Sequence, residues 1–235
     1  MEVYAGKYDR FARAALKASS TANYPWLANY QGMQRSFIHN GSHNQAIADP
    51  HNLIERFVKT QAAYQDLALS ELRDGRKKSH WSWFIFPTPP YMEGGIEAGS
   101  HTNMYYALRT REQAEAYLKL PPQDLSQCSG LQQGAKEPVH LRSNYITLME
   151  TVAEQLEKNE EMRVEELIGS VDVNKLESSL IYFRHVADTM EPRDQGIVEV
   201  CDRALDAMAV ADRRPGPFMR WWKKTWENGH TETEA

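Results

Sequence analysis

One basic and aromatic segment carries the residue types of a small-molecule site. Within eight positions it holds three cations, a serine–histidine pair and two tryptophans: Arg76, Lys77, Lys78, Ser79, His80, Trp81 and Trp83. An imidazole exchanges protons near neutral pH, and an indole face stacks on a flat ring. The segment predicts a pocket for a planar or anionic metabolite, with His80 transferring the proton. Alternatively, the tryptophans are core residues and the cations are solvated beyond a helix end.

A second set of polar residues follows a helical period later in the chain. Lys175, Ser179 and Tyr182 lie at positions i, i+4 and i+7, so they share one helix face. Such groups could hold a phosphate or stabilise an oxyanion, with Asp172 or Glu177 supplying a carboxylate. Alternatively, Asp172 caps the helix and the charged residues are solvated. The predicted catalytic residues are His80, Lys175 and Ser179, and the predicted binding residues are Arg76, Lys77, Ser79, Trp81, Trp83, Asp172, Ser178 and Tyr182.

Several classes of function lack their sequence signals. No HExxH, paired CxxC, EF-hand, GxGxxG, P-loop or GxSxG motif occurs, so we expect neither a metal nor a cofactor. The net charge of -5 does not favour nucleic acid. The sequence contains no run of 18 apolar residues, so it predicts no membrane span. The two cysteines show no disulfide framework, which is typical of a cytoplasmic protein.

Helical periodicity recurs along most of the chain. In the first helix Asp49 is the predicted N-cap, Pro50 the first helical residue and Gly75 the residue after the end. Later helices are predicted after Thr110, over about 138–158, after Asp172 and from Pro192. The residues predicted to face the core in the first and third helices are Leu53, Phe57, Tyr64, Ala68 and Leu72, and Leu141, Tyr145, Leu148, Val152 and Leu156.

The remaining segments complete an all-α, compact, multihelical single domain. Residues 87–103 and 121–138 are rich in turn formers and predict long loops, and the apolar run 81–86 fits a strand or a helix equally well. We assign 1–48 to a partly helical extension, 49–210 to the helical core and 211–235 to a basic, aromatic, amphipathic tail. That tail is expected to dock on its own domain or to form a homodimer contact, and the alternatives are an anionic membrane surface or the groove of a partner protein.

Three motifs occur in a fixed order along the core. They are DPHNLIERFVKTQ from Asp49, ELRDGRKKSHWSWFIFP at 71–87 and IGSVDVNKLESSLIYF at 168–183. Together they resemble the family known as domain of unknown function 1810, over about residues 49–208. The resemblance implies a multihelical intracellular domain without an established activity. The chain departs from the family pattern at Thr88, where a glutamine is usual, and some members carry the label calpastatin, which does not fit a chain with five amphipathic helices.

Two functions compete on these residues. The first is an enzyme that uses acid–base chemistry on a small polar, nucleotide-like or ribosylated metabolite, by N-glycosidic hydrolysis or by cyclisation or isomerisation. The second is a non-catalytic protein-interaction module that makes contact through the tail or the 87–103 loop. Convergence of His80 and Lys175 on one cavity favours the first function.

Overall fold

The computed structural model describes residues 49–125 and 138–215, so the predictions for the N-terminal extension, most of the second loop and the aromatic tail lie outside it. The predicted helical class is confirmed: one small antiparallel hairpin, β1 (Met92–Glu93) with β2 (Ile96–Glu97), accompanies the helices. A π-helical turn, Ile54–Val58, leads directly into the first helix. The helices are α1 (Lys59–Arg73), α2 (Ser82–Ile85), α3 (His101–Tyr106), α4 (Arg111–Lys119), α5 (Leu141–Lys158), α6 (Val164–Ile168), α7 (Val173–Thr189) and α8 (Gln195–Asp212).

The first helical segment begins later than its sequence predicts. Pro50 lies in a turn before the helix, so its assignment as the first helical residue is wrong. The Asp49 carboxylate still satisfies free backbone donors, since it accepts from the amides of Leu53 and Ile54 at 2.7 and 2.8 Å. At the other end Gly75 follows α1 as predicted, with a φ of +79° that a side chain would strain.

The core lies where α8 packs along both α5 and α7 and where α1 packs on α5. All five residues predicted to face inward from α5 are buried. Aromatic rings bridge the helices, with Tyr145 4.7 Å and Tyr117 5.2 Å from Phe183 between ring centroids. Tyr64 is the exception among the residues predicted to face the core in the first helix: it is exposed, and its ring packs at the edge of the core against Phe84.

The segment from 81 to 106 is more ordered than the sequence predicts. Residues 82–85 form the short helix α2, which decides the open choice between strand and helix. The predicted loop 87–103 contains the hairpin and the first turn of α3, so its description as a long loop is wrong. A side chain starts α3, because the Ser100 hydroxyl accepts from the amide of Asn103. Too few residues are involved for periodicity to reveal such short elements.

Two further helix starts move for local reasons. Helix α5 begins at Leu141 because Val139 pairs with Gln123 in an isolated β-bridge. Helix α8 begins at Gln195 rather than Pro192, because the Asp194 carboxylate accepts from the amide of Ile197. Both helices therefore begin three residues later than predicted.

Candidate functional site

Asp172 is the centre of a half-buried ionic cluster. Its two carboxylate oxygens lie 2.8 Å from the Lys77 ammonium and 2.7 Å from the Lys175 ammonium. The Ser82 hydroxyl donates to the same carboxylate at 2.8 Å. The Lys77, Asp172 and Lys175 side chains are only 10%, 14% and 12% exposed. We call these four residues, with Trp83, the Asp172 cluster.

Asp172 occupies the N-cap position of α7 as predicted, but its side chain does not cap the helix. The carboxylate makes no capping hydrogen bond because the two lysines and Ser82 occupy it. Backbone contacts bring the partners together from distant parts of the chain. The Lys77 amide donates to the Leu167 carbonyl at 2.6 Å, which holds the end of α1 against α6. Gly169, with a φ of +83°, then turns the chain from α6 toward Asp172.

One indole ring belongs to the cluster. The Lys175 ammonium lies 3.3 Å from the centroid of the half-buried Trp83 ring, a cation–π contact. The Lys77 ammonium lies 5.3 Å from the Trp81 ring centroid. Trp81 is fully buried, however, and its indole N–H donates to Glu71. Of the two predicted stacking residues, only Trp83 therefore keeps any surface that a ligand could touch.

The Asp172 cluster has a net positive charge, because two lysines oppose one aspartate. Burial tends to raise the pKa of Asp172, but the bonds from Lys175, Lys77 and Ser82 outweigh it, so the pKa falls below its ordinary value. Burial lowers the pKa of Lys175; Asp172 opposes this shift, and the nearby charge of Lys77 adds to it. Two ammonium groups thus face one ionised carboxylate in a partly dry setting, which favours a further anion.

Glu71 organises the neighbouring segment and escaped the sequence prediction. Its carboxylate accepts from the amides of Lys78 and Ser79 at 2.7 and 2.9 Å, from the Ser79 hydroxyl at 2.5 Å and from the Trp81 indole at 2.8 Å. Burial tends to raise the pKa of Glu71, but these four bonds lower it to about 2. A glutamate beside Leu72, on the apolar face of α1, was the signal that could have revealed it.

Two predicted site residues of α7 lie in the core. Ser179 is fully buried, and its hydroxyl lies 3.3 Å from the Tyr145 hydroxyl. Tyr182 is fully buried and donates to the carbonyls of Leu108 and Thr110, both at 3.1 Å. The predicted polar face of α7 is thus covered by other helices beyond its first turn. Neither hydroxyl can meet a surface ligand without opening the core.

The other predicted residues lie nearer to solvent. Arg76 and His80 are exposed, whereas Ser79 and Ser178 are half-buried. The Ser79 side chain is engaged by Glu71. The structure therefore joins Lys77, Asp172, Lys175 and Trp83 in one cluster, and it places the exposed imidazole three residues along the chain from Lys77.

A surface cleft of about 650 Å³ opens beside Lys77. Arg76 and Lys77 supply its basic residues, and Gly75 and Gly169 contribute backbone. Its acidic and amide residues come from α6 and the turn before it: Asn159, Glu161, Glu165 and Glu166. We call it the Lys77 cleft. Such a cleft can bind an anionic group at one place and hydroxyl groups at another.

Metal and membrane signals are lacking in the described parts of the chain. Residues 49–125 and 138–215 contain no group of three or more histidine, cysteine, aspartate or glutamate side chains placed to hold a metal ion. None of the helices within these two ranges has the length and apolar character needed to cross a membrane.

Comparison with known proteins confirms the resemblance that the motifs predict. Residues 50–137 match the family model described as "Protein of unknown function (DUF1810)". The chain is also similar to the conserved hypothetical protein Rv1873 from Mycobacterium tuberculosis, with 27% identity and a TM-score of 0.48 over 70% of this chain and 94% of that one. No curated protein matches the chain.

Proposed function

We propose that this protein, whose residues 50–137 match a family of unknown function, is an enzyme that acts by acid–base chemistry on a small anionic metabolite. The substrate class is a phosphorylated or ribosylated compound, bound in the Lys77 cleft without a metal ion. One observation carries the proposal: Lys77 belongs both to an open cleft and to a half-buried cluster with surplus positive charge.

The basic residues of the cleft suit the anionic group of such a ligand, and its acidic residues suit the sugar hydroxyls. Arg76 and Lys77 bind the phosphate or carboxylate group by charge-assisted hydrogen bonds. Glu161 and Glu165 accept hydrogen bonds from sugar hydroxyls, as an acidic residue does for ribose in dinucleotide sites. Asp172 pairs with the Lys77 ammonium and offsets part of its charge.

The proposed proton-transfer groups, His80 and Lys175, do not themselves line the Lys77 cleft. His80 lies on the same segment as Lys77, and Lys175 shares the Asp172 carboxylate with Lys77. His80 is exposed three residues after Lys77, and we assign it the transfer of a proton to or from the substrate. Lys175 supports the positive field, and its lowered pKa makes its ammonium a better acid than an ordinary lysine. N-glycosidic hydrolysis and cyclisation or isomerisation are the reaction types that we propose for these groups.

A protein-interaction module is the second candidate function, and one observation favours it. The 87–103 segment exposes two large apolar side chains, Tyr91 and Ile96, on and beside the small hairpin. Exposed apolar side chains grouped on a projecting segment are typical of contact surfaces. Under this alternative the Asp172 cluster only stabilises the fold.

A ligand screen with one matched pair of lysine variants tests the enzyme proposal. We expect a nucleotide, ADP-ribose or sugar phosphate at 100 times its Kd to stabilise the protein by about 2.7 kcal/mol, seen as a thermal shift of several degrees. Lys77→Met should abolish that shift, measured against the variant's own melting temperature. Lys78→Met should retain it, because Lys78 is exposed and pairs only with Asp74 in the described structure.

The same screen separates the two candidate functions. A compound that stabilises the protein is next incubated with it, and its conversion is followed by phosphorus and proton NMR. Conversion that His80→Ala abolishes supports the acid–base assignment. A thermal shift that survives Lys77→Met contradicts the site, and a panel without any shift favours the interaction module.

A further inference from the structure

A second cleft, independent of the proposed active site, lies between α5 and α8. Its volume is about 810 Å³. Its apolar lining residues are Leu156, Ala207 and Val210, of which Val210 is exposed and the other two are buried. Its remaining lining residues are charged, and three of the five are acidic: Glu157, Glu160, Arg203, Asp206 and Arg214. We call it the α5–α8 cleft. An apolar surface bordered by carboxylates suits an apolar and basic peptide.

The described chain ends at the edge of this cleft. Arg214 lines it, and the Arg214 guanidinium donates to the carbonyls of Leu156, Asn159 and Met162 at 2.9, 2.8 and 2.8 Å. These three bonds tie Arg214, just beyond α8, to the last turn of α5 and to the turn that follows it. They also fix the point from which residue 216 continues.

The segment that continues from this point complements the cleft in sequence. Residues 216–226 contain three cations and no acidic residue. Phe218, Trp222 and Trp226 follow at intervals of four residues, so a helical segment places them on one face. Tethering makes binding to the adjacent cleft an intramolecular event, which outcompetes weak binding to another molecule.

We infer that residues 216–226 bind in the α5–α8 cleft of their own chain. The aromatic side chains cover Val210 and the edge of Ala207, and the cations face Glu160 and Asp206. Partial burial, with the charge of Asp202 as a smaller cause, already raises the pKa of Asp206, so an approaching cation favours its ionised form. The tail thereby becomes part of the folded domain instead of forming the homodimer contact that the sequence also allows.

Thiol accessibility in the full-length chain tests this inference. The Val210→Cys variant is made in a Cys128→Ser background, and the remaining native thiol, Cys201, is buried. With an effective tail concentration on the order of 1 mM, a segment that binds with a Kd of about 0.1 mM slows the reaction of the new thiol about tenfold. Replacing Phe218, Trp222 and Trp226 by serine should restore the fast rate.

A matched control uses another exposed valine. Val210 is 55% exposed and Val171 is 89% exposed in the described structure, and Val171 does not line the cleft. The Val171→Cys thiol should therefore react at the same rate with either tail. Charge reversal by Glu160→Lys with Asp206→Lys should release the tail and speed the Val210→Cys reaction.

The outcomes distinguish the possible occupants. Protection of the Val210→Cys thiol that is independent of protein concentration supports binding to the same chain. Protection that grows with protein concentration overturns it in favour of a second copy. Equal rates with the natural and the serine-substituted tail overturn it entirely.

Discussion

Replacement of Glu71 by alanine is expected to lower the free energy of unfolding by about 4 kcal/mol, which lowers the melting temperature by about 10 °C in a chain of this size. Four donors converge on this carboxylate: two backbone amides, the Ser79 hydroxyl and the Trp81 indole. Truncation leaves them without an acceptor, and each buried unsatisfied donor costs about 1–3 kcal/mol before any rehydration. Thermal and denaturant unfolding measure the loss.

The pH dependence of unfolding tests the role of Glu71 in a second way. The folded-state pKa of Glu71 is about 2, below its ordinary value of 4.5. The contribution of Glu71 is therefore complete above about pH 4.5 and is lost as the pH falls toward 2. The shift corresponds to about 3 kcal/mol. The Glu71→Gln variant, which cannot ionise, should lack this part of the acid dependence. The role of Glu71 is contradicted if the Glu71→Gln variant loses as much stability at low pH as the natural protein does. It is also contradicted if Glu71→Ala lowers the free energy of unfolding by less than about 1 kcal/mol.

The Asp172→Asn variant is expected to lose stability and gain affinity for anions. Two ammonium groups that are about nine-tenths buried lose their shared counter-ion. Removing one partner of a buried pair costs about 3 kcal/mol of unfolding free energy. At the same time the cluster gains a full positive charge, so we expect about tenfold tighter binding of the phosphate ligand, or about 1.4 kcal/mol. Denaturant unfolding and calorimetric titration measure the two effects.

A matched acid on the same segment serves as the control. Asp74 pairs with Lys78, and their side chains are 58% and 60% exposed. Because exposed pairs contribute little, Asp74→Asn should change stability by less than about 0.5 kcal/mol and leave anion binding as it was. If Asp172→Asn destabilises the protein without strengthening anion binding, the cluster is structural and the proposed function fails.

The helical class and most of the core were set by local sequence. Stripes at intervals of three and four bury the same residues that they predict in α5, because a helix with one apolar face has only one way to remove that face from water. Gly75 ends α1 because its positive φ closes the last turn. The family model matches residues 50–137, which hold nearly all of the first two motifs, and such motifs can be read from sequence because they are continuous stretches.

The site depended on contacts between distant residues, which a linear pattern does not contain. Asp172 could cap a helix or pair with cations, and only the packing of α6 against the end of α1 brought Lys77 within reach of its carboxylate. Ser179 and Tyr182 were in register with Lys175, yet the face of α7 that carries these two hydroxyls is buried beyond the first turn, so burial separated residues that periodicity joins. Sequence supplied the charged and aromatic groups, whereas the tertiary structure decided which of them share a low-dielectric surface and therefore interact strongly.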